Sequence, residues 1–165
     1  MDLLEAIRGR ASVRSFRPVN VQRQDLETIL EAGRRAPSGK NVQPFSFIAV
    51  TDRETIRALS APQAFIAEAS ALIAIVADTK ASPYWLEDIS AAATQMLLTI
   101  HALGYASVWV EGTLLRKEAE MKKVLGVPDP LRLMIFLPIG APAGPVTQPA
   151  KKSLQELTHW EKYRP

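Results

Sequence analysis

The sequence predicts a single domain of mixed helices and strands, of the α/β or α+β class. Segments with helical spacing of apolar residues alternate with short, continuous apolar runs of strand length. The 165 residues suffice for one ordinary domain, and no repeat or low-complexity tract divides them. Hydrophobic residues make up 47% of the chain and charged residues 22%, which is a globular composition. Periodicity alone leaves the choice between the two classes open.

Six segments carry apolar residues at the three- or four-residue spacing of a helix. They cover residues 2–10, 23–35, 52–59, 62–68, 85–103 and 114–124. The second segment is clearly amphipathic and is stopped by Pro37. The fifth is apolar on nearly all of its faces, which is typical of a central helix or an oligomer interface, and Gly104 is its expected C-cap.

Four apolar runs predict strands, at residues 45–50, 71–76, 106–110 and 131–137. The second run, ALIAIV, has no polar position and therefore predicts a strand that is buried on both faces. The fourth strand is expected to end at Pro138-Ile139-Gly140. Residues 141–165, called the C-terminal arm below, are expected to pack on a partner subunit, and a frayed tail is the alternative.

Several classes of chemistry are excluded by residue type. The chain has no cysteine, which removes disulfides, thiol nucleophiles and cysteine-ligated metals. His101 and His159 are the only histidines and no H-E-x-x-H motif occurs, so no metal site is expected. Neither G-x-G-x-x-G, the P-loop motif nor G-x-S-x-G is present, and no carboxylate pair stands out. If the chain is an enzyme, a bound cofactor is expected to carry its chemistry.

The positive charge is confined to one part of the chain. Residues 1–40 hold eight Lys/Arg and five Asp/Glu, whereas residues 41–165 hold twelve of each. This local excess suits a small anionic ligand or a solvated surface, and nucleic acid would require a denser basic face. The longest apolar run, 71–77, is too short to cross a membrane, and the first residues do not resemble a signal peptide. A cytoplasmic protein is therefore expected.

Three short stretches carry candidate binding chemistry. Arg10, Ser12 and Arg14, here called the arginine strip, alternate, so an extended backbone would point them the same way as a phosphate grip; a solvated edge is the alternative. Residues 37–44, here called the amide loop, combine small residues with two amides, as ligand-binding loops often do. Glu111-Gly112 follows an apolar strand, and a glycine there lets the backbone approach a flat ring.

Together these stretches resemble the FMN-dependent nitroreductase family, of which the chain looks like a short member. The matching segments are RASVRSF, ILEAGRRAPSGKNVQPFSFIAV, DISAAATQMLLTIHALGYASVWVEG, LPIGAPA and KKSLQELTHWEKY. They span nearly the whole chain, so residues 1–165 are expected to form one nitroreductase-like domain. The resemblance implies an α+β fold with a central, mostly antiparallel sheet flanked by helices, in a two-fold homodimer with two FMN sites at its interface.

The resemblance also implies roles for particular residues. The arginine strip would hold the phosphate and ribityl chain, and the first residues of the amide loop would lie along the isoalloxazine. Asn41 would bond to the flavin edge, often from the facing subunit. Glu111 and Gly112 would lie near flavin N5, and Lys151, with its neighbour Lys152, would face the phosphate. The full expected cofactor-binding set is Arg10, Ala11, Ser12, Arg14, Pro37, Ser38, Gly39, Asn41, Gln43, Glu111, Gly112, Lys151 and Lys152.

Three features depart from the family pattern. Ala11 occupies a position that is often Arg or His. Lys151-Lys152 replaces the common Arg-Lys, and lysine lacks the bidentate fork of arginine. Residues 60–71 and 80–88 leave little room for the lid helices of larger members, so an open substrate slot is expected.

By resemblance, NAD(P)H would reduce tightly bound FMN, and a nitroaromatic, quinone or related small acceptor would then be reduced in a ping-pong cycle. No side chain is expected to serve as a dedicated acid or base. The alternatives are a specialised flavin enzyme, for dehalogenation or for flavin cleavage as in dimethylbenzimidazole synthase, and a non-enzymatic flavin-binding protein. Steady-state NAD(P)H oxidation with a quinone separates catalysis from binding alone.

Overall fold

The computed structural model describes residues 1–164. Its helices are α1 Leu3–Gly9, α2 Arg23–Arg34, α3 Arg53–Ala58, α4 Trp85–Ala102, α5 Gly112–Leu115, α6 Glu118–Leu125 and α7 Leu154–Leu157. Its strands are β1 Phe16–Arg17, β2 Phe45–Val50, β3 Ala71–Ala77, β4 Ala106–Ser107 and β5 Arg132–Pro142. Two 3₁₀ turns cover Gly39–Asn41 and Ala64–Glu68.

All five strands join one antiparallel sheet. Its order is β1-β5-β3-β2, and β4 pairs with β5 on the side away from β3. Because no pair of these strands runs parallel, the fold is α+β, as the resemblance implies, and not a doubly wound α/β sheet. β1 and β2 lie on opposite sides of the central pair of strands, with about 14 Å between them at normal strand spacing.

β5 is longer than predicted and β4 is shorter. β5 continues past Pro138 to Pro142, so its expected end at 138–140 is wrong. The β4 register, with the isolated bridge between Val110 and Phe136, sets Val108 opposite Pro138. Because proline has no N–H to donate, the ladder between the two strands lacks a bond at this point. Pro138 therefore interrupts β4 rather than ending β5.

Two smaller predictions also differ from the structure, and one short strand was missed. The single helix expected over 114–124 is divided into α5 and α6, with a break at Arg116-Lys117. The segment expected as a helix over 62–68 is a 3₁₀ turn, after which Ala69 returns to extended backbone before β3. β1 has only two residues, too few for any periodicity to show, and was not predicted.

The core forms on both faces of β3. Ile73 and Ile75 pack with α2 and α4 on one face, whereas Leu72, Ala74 and Val76 pack towards α3, α5 and α6 on the other. Every residue of β3 is buried, as its continuous apolar sequence predicts. Within residues 1–164, no helix has both the length and the apolar character that crossing a membrane requires.

Candidate functional site

The arginine strip lies on extended backbone beside β4. Ser12 forms a parallel bridge with Ser107, and the N–H of Val13 donates to the carbonyl of Ser107 over 3.0 Å. Ser12 and Arg14 are exposed, whereas Ala11 is buried and Val13 packs against the core. The strip therefore has an inner and an outer row of side chains, and the polar groups of Ser12 and Arg14 belong to the outer row.

The cationic groups of the strip and of Lys151 and Lys152 form no ion pair with the described part of the chain. Arg23, Arg34 and Arg132 each form an ion pair with a glutamate. By contrast, no acidic side chain within residues 1–164 pairs with the two arginines of the strip, or with the two lysines at 151–152. Uncompensated guanidinium and ammonium groups suit a phosphate dianion, which accepts charge-assisted hydrogen bonds.

Gln148 ties the base of the C-terminal arm to the strip. Its Nε2 donates to the carbonyl of Ile7 over 3.0 Å and to the carbonyl of Arg10 over 2.6 Å, which satisfies two carbonyls at the C-terminal end of α1. Lys151 follows three residues later, so its Cα lies within about 11 Å of that of Gln148. The two exposed lysines are therefore tethered close to Gln148 along the chain.

Glu111 and Gly112 directly follow Val110, which forms an isolated bridge with Phe136. Glu111 has φ −133° and ψ −70° and precedes α5, and its Oε2 accepts a 2.9 Å hydrogen bond from Nε1 of Trp109. A Cβ placed on Gly112 would meet no atom within 4 Å. The backbone at Gly112 therefore faces open space, which leaves room for the flat ring that the resemblance implies.

The amide loop has an unusual backbone. Lys40, Asn41 and Gln43 have φ values of 53°, 57° and 55°, a left-handed conformation that is uncommon without glycine. Within the loop, the N–H of Gln43 donates to Oγ of Ser38 over 3.2 Å, and Nε2 of Gln43 donates to Oδ1 of Asn41 over 3.2 Å. A conformation of this kind persists where surrounding contacts enforce it.

Those contacts come from the start of α4. Asp88 is 3% exposed, and its Oδ1 accepts a 2.8 Å hydrogen bond from the N–H of Gly39. Tyr84 packs on Gly39 so closely that a Cβ there would lie 2.5 Å from the ring. The loop is therefore attached to the N-terminal end of α4.

The arginine strip is attached to the other end of the same helix. A Cβ on Gly9 would lie 2.6 Å from Nε2 of His101, and Arg10, Ala11 and His101 line one small cavity. Asp88 and His101 lie near opposite ends of α4, about 20 Å apart at the rise of an α-helix. Within one chain, the arginine strip and the amide loop are therefore attached to points on α4 about 20 Å apart.

His101 adds no positive charge to the strip at neutral pH. Burial, followed by the nearby Arg10 guanidinium, lowers the pKa of His101 below its ordinary value of 6.5. The neutral form of the ring is therefore favoured, and the ring fills space between α4 and the end of α1.

Three residues whose side chains hold part of the candidate site in place were not predicted from the sequence. Asp88 could have been noticed, because it shares a helix face with Ala92 and Met96, and a carboxylate in such an apolar stripe is unusual. Trp109 fits the apolar pattern of a strand, so nothing in the sequence indicated its hydrogen bond to Glu111. Gln148 is a lone amide in a proline-rich segment, and nothing in the sequence joins it to α1.

The fold is α+β, and the arginines of the strip form no ion pair among residues 1–164. The sequence model of the nitroreductase family matches residues 7–63 and 60–141. A proposed NADH dehydrogenase/NAD(P)H nitroreductase of Archaeoglobus fulgidus is 35% identical, over 86% of this chain and 86% of its own length. The chain belongs to the nitroreductase family.

Solved structures agree with this assignment. The crystal structure of a proposed NADH dehydrogenase/NAD(P)H nitroreductase from Bacteroides thetaiotaomicron is 30% identical and superposes with a TM-score of 0.89 over 98% of both chains. An FMN-dependent nitroreductase from Clostridium difficile is 25% identical, with a TM-score of 0.87 over 97% of this chain and 99% of that one.

Proposed function

We propose that this chain is an FMN-dependent NAD(P)H oxidoreductase that acts on nitroaromatics, quinones or related acceptors as a homodimer. The observation that carries the proposal is the divided site within a nitroreductase fold. A free cationic strip lies at one end of α4 and a constrained amide loop at the other. Two copies facing each other could join the strip of one chain to the loop of the other.

The residues present fit FMN. Arg10 and Arg14 would bind the phosphate, with Ser12 on the ribityl side and Lys151 and Lys152 contributing charge. Ala11 would contribute backbone alone, because its side chain faces the core.

The ring would be held by a different set of residues. Pro37, Ser38 and Gly39 would face the isoalloxazine, Asn41 and Gln43 would offer amides to its edge, and Glu111 and Gly112 would lie near N5. When bound, FMN supplies the hydride chemistry, in alternating half-reactions with NAD(P)H and the acceptor.

The chain's own contribution is to orient the groups that would meet the flavin. The Trp109 indole fixes the Glu111 carboxylate, so this charge is held in one place beside the backbone of Gly112. The constrained amide loop presents its donors and acceptors in a set direction, which lowers the entropy cost of binding. No described side chain is required as a general acid or base for this role.

The C-terminal arm supports the proposed dimer. Residues up to Gln148 contact their own chain, because Ala143 donates to the carbonyl of Ser15 and Gln148 binds α1. Beyond this point Leu154, Trp160 and Tyr163 are 72%, 74% and 77% exposed. Large apolar groups exposed to this extent are typical of a surface that a partner covers. We propose that this part of the arm packs on the second subunit of a single-domain protomer.

A short cover over the site supports a broad choice of acceptors. The 3₁₀ turn at Ala64–Glu68 stands where larger members are expected to carry lid helices. Just before it, Gln63 donates from Nε2 to Oγ1 of Thr113 over 3.3 Å, which holds this segment against α5. An open slot would admit flat acceptors of different sizes.

The test begins with FMN added to the purified full-length protein, followed by gel filtration and a visible spectrum. We expect about one retained flavin per chain, and then NADH or NADPH oxidation that depends on a quinone or nitroaromatic. Retained flavin without turnover would favour a flavin-binding protein, and turnover of a halogenated phenol alone would favour a dehalogenase. A colourless protein that takes up no FMN would overturn the proposal.

A further inference from the structure

Asp88 is a buried carboxylate with an incomplete set of hydrogen bonds. Its Oδ1 accepts from the N–H of Gly39, and its Oδ2 is buried without a partner among residues 1–164. A buried carboxylate is costly unless its charge is compensated. Asp88 lies in the first turn of α4, where the helix dipole favours negative charge, but this alone does not account for its burial.

Glu87 is a carboxylate in the same turn that, among residues 1–164, interacts only with the helix dipole. It also lies in the first turn of α4, and it is exposed to solvent. Both residues therefore supply negative charge near the N-terminus of α4, but only Asp88 points inward to a segment 49 residues away. A comparison of variants at Asp88 and Glu87 therefore separates the contact with the amide loop from the effect on the helix.

The contact occurs where the loop is most constrained. Gly39 begins the 3₁₀ turn, and the two residues after it, Lys40 and Asn41, are both left-handed. Tyr84 closes the other side of Gly39, so this residue is held between an aromatic ring and a carboxylate. A shift at Gly39 would be passed directly to Asn41, because only Lys40 separates them.

We propose that Asp88 is the positioning residue of the amide loop, and that its hydrogen bond to Gly39 holds the loop in its binding shape before a cofactor arrives. That the loop binds a cofactor rests on the proposed function. The hydrogen bond that holds the loop, however, is a property of the cofactor-free protein. It predicts that the loop is ordered without FMN and that binding requires little rearrangement. The Asp88 carboxylate contacts no reacting atom in this account.

Hydrogen exchange on the cofactor-free, full-length protein tests the hold, with a peptide that spans residues 37–44 as the probe. We expect Asp88→Ala to raise exchange in this peptide about tenfold or more, since one hydrogen bond to a charged acceptor is lost. Glu87→Ala is the matched control and should leave the peptide unchanged. Asp88→Asn retains an acceptor oxygen and should restore most of the protection. If Asp88 acted only through its negative charge, Asp88→Asn would exchange as fast as Asp88→Ala.

The same variants then test whether the hydrogen bond between Asp88 and Gly39 contributes to FMN binding. FMN affinity is expected to fall roughly ten- to hundredfold in Asp88→Ala, with an altered visible circular dichroism of the bound flavin, and to change little in Glu87→Ala. Unchanged loop exchange in a natively folded Asp88→Ala protein would overturn the inference. A loosened loop with full FMN affinity would overturn its link to the cofactor. Failure of the wild-type protein to bind FMN would contradict the proposed function, and the exchange experiment would still decide the role of Asp88.

Discussion

The side-chain amide of Gln148 donates a 2.6 Å hydrogen bond to the carbonyl oxygen of Arg10, 138 residues earlier in the chain. The same nitrogen also donates to the carbonyl of Ile7, so one amide satisfies two acceptors where α1 ends. The backbone of Arg10 is therefore fixed by the base of the C-terminal arm. This contact explains how a proline-rich segment without its own strand contributes to the cationic strip.

Removal of this amide should loosen the strip. We expect Gln148→Ala to weaken FMN binding about two- to tenfold and to raise hydrogen exchange at the end of α1, because two neutral hydrogen bonds are lost. Gln24→Ala is the control, since Gln24 is an exposed amide on α2, outside the C-terminal arm. Equal FMN affinities for both variants would show that Gln148 does not position Arg10.

The arginines of the strip should contribute affinity rather than stability. Arg10→Ala or Arg14→Ala is expected to weaken FMN binding roughly ten- to hundredfold, as for the loss of a charge-assisted bond, while the melting temperature stays close to that of the wild type. Arg57→Ala removes an exposed arginine elsewhere and should leave FMN affinity unchanged. Fluorescence titration with FMN provides the measurement. If neither strip variant changes the affinity, the phosphate assignment is wrong.

The ion pair between Glu118 and Arg132 should make stability depend on pH. Burial raises the pKa of Glu118, but hydrogen bonds from Arg132 and the N–H of Leu133 lower it more, so it lies below the ordinary value of 4.5. The folded state then binds this proton less readily than the unfolded state. The stabilisation is present above pH 4.5 and is lost as the pH falls through the lowered pKa.

Glu118→Gln is therefore expected to reduce the free energy of unfolding by about 1–2 kcal/mol at pH 7, and by less at pH 3. Glu120→Gln is the control, because the Glu120 pair with Lys117 is exposed and should contribute less than about 1 kcal/mol. Urea unfolding at the two pH values provides the measurement. A Glu118→Gln effect that is the same at both would contradict the assigned pKa direction.

Gly33 allows α2 to pack closely on α4. A Cβ at this position would lie 2.1 Å from Cε of Met96. We expect Gly33→Leu to lower the free energy of unfolding by about 1–3 kcal/mol through overpacking. Met96→Ala in the same background should recover part of the loss, because it makes room for the new side chain. Thermal or urea unfolding provides the measurement. If Met96→Ala restores none of the lost free energy of unfolding, the destabilisation does not come from contact with Met96.

The sequence predicted those features that depend on neighbouring residues. The long helix α4 and the buried β3 both follow from the pattern of apolar residues along the chain. The features it missed depend on residues that meet only after folding. Pro138 shortens β4 because Val108 lies opposite it, and the contacts of Asp88 and Gln148 cross 49 and 138 residues. No local pattern encodes those distances.

The divided site is the central claim, and complementation between two inactive variants tests it most directly. One chain would carry Arg10→Ala and Arg14→Ala, and the other Gly39→Val, whose side chain would collide with Tyr84. The measurement is the FMN stoichiometry of the purified mixed dimer, isolated with two different affinity tags. If each site joins the strip of one chain to the loop of the other, the mixed dimer contains one intact site and should bind one FMN with wild-type affinity. A mixed dimer that binds no FMN tightly, like either parent, would show that both halves of each site come from the same chain.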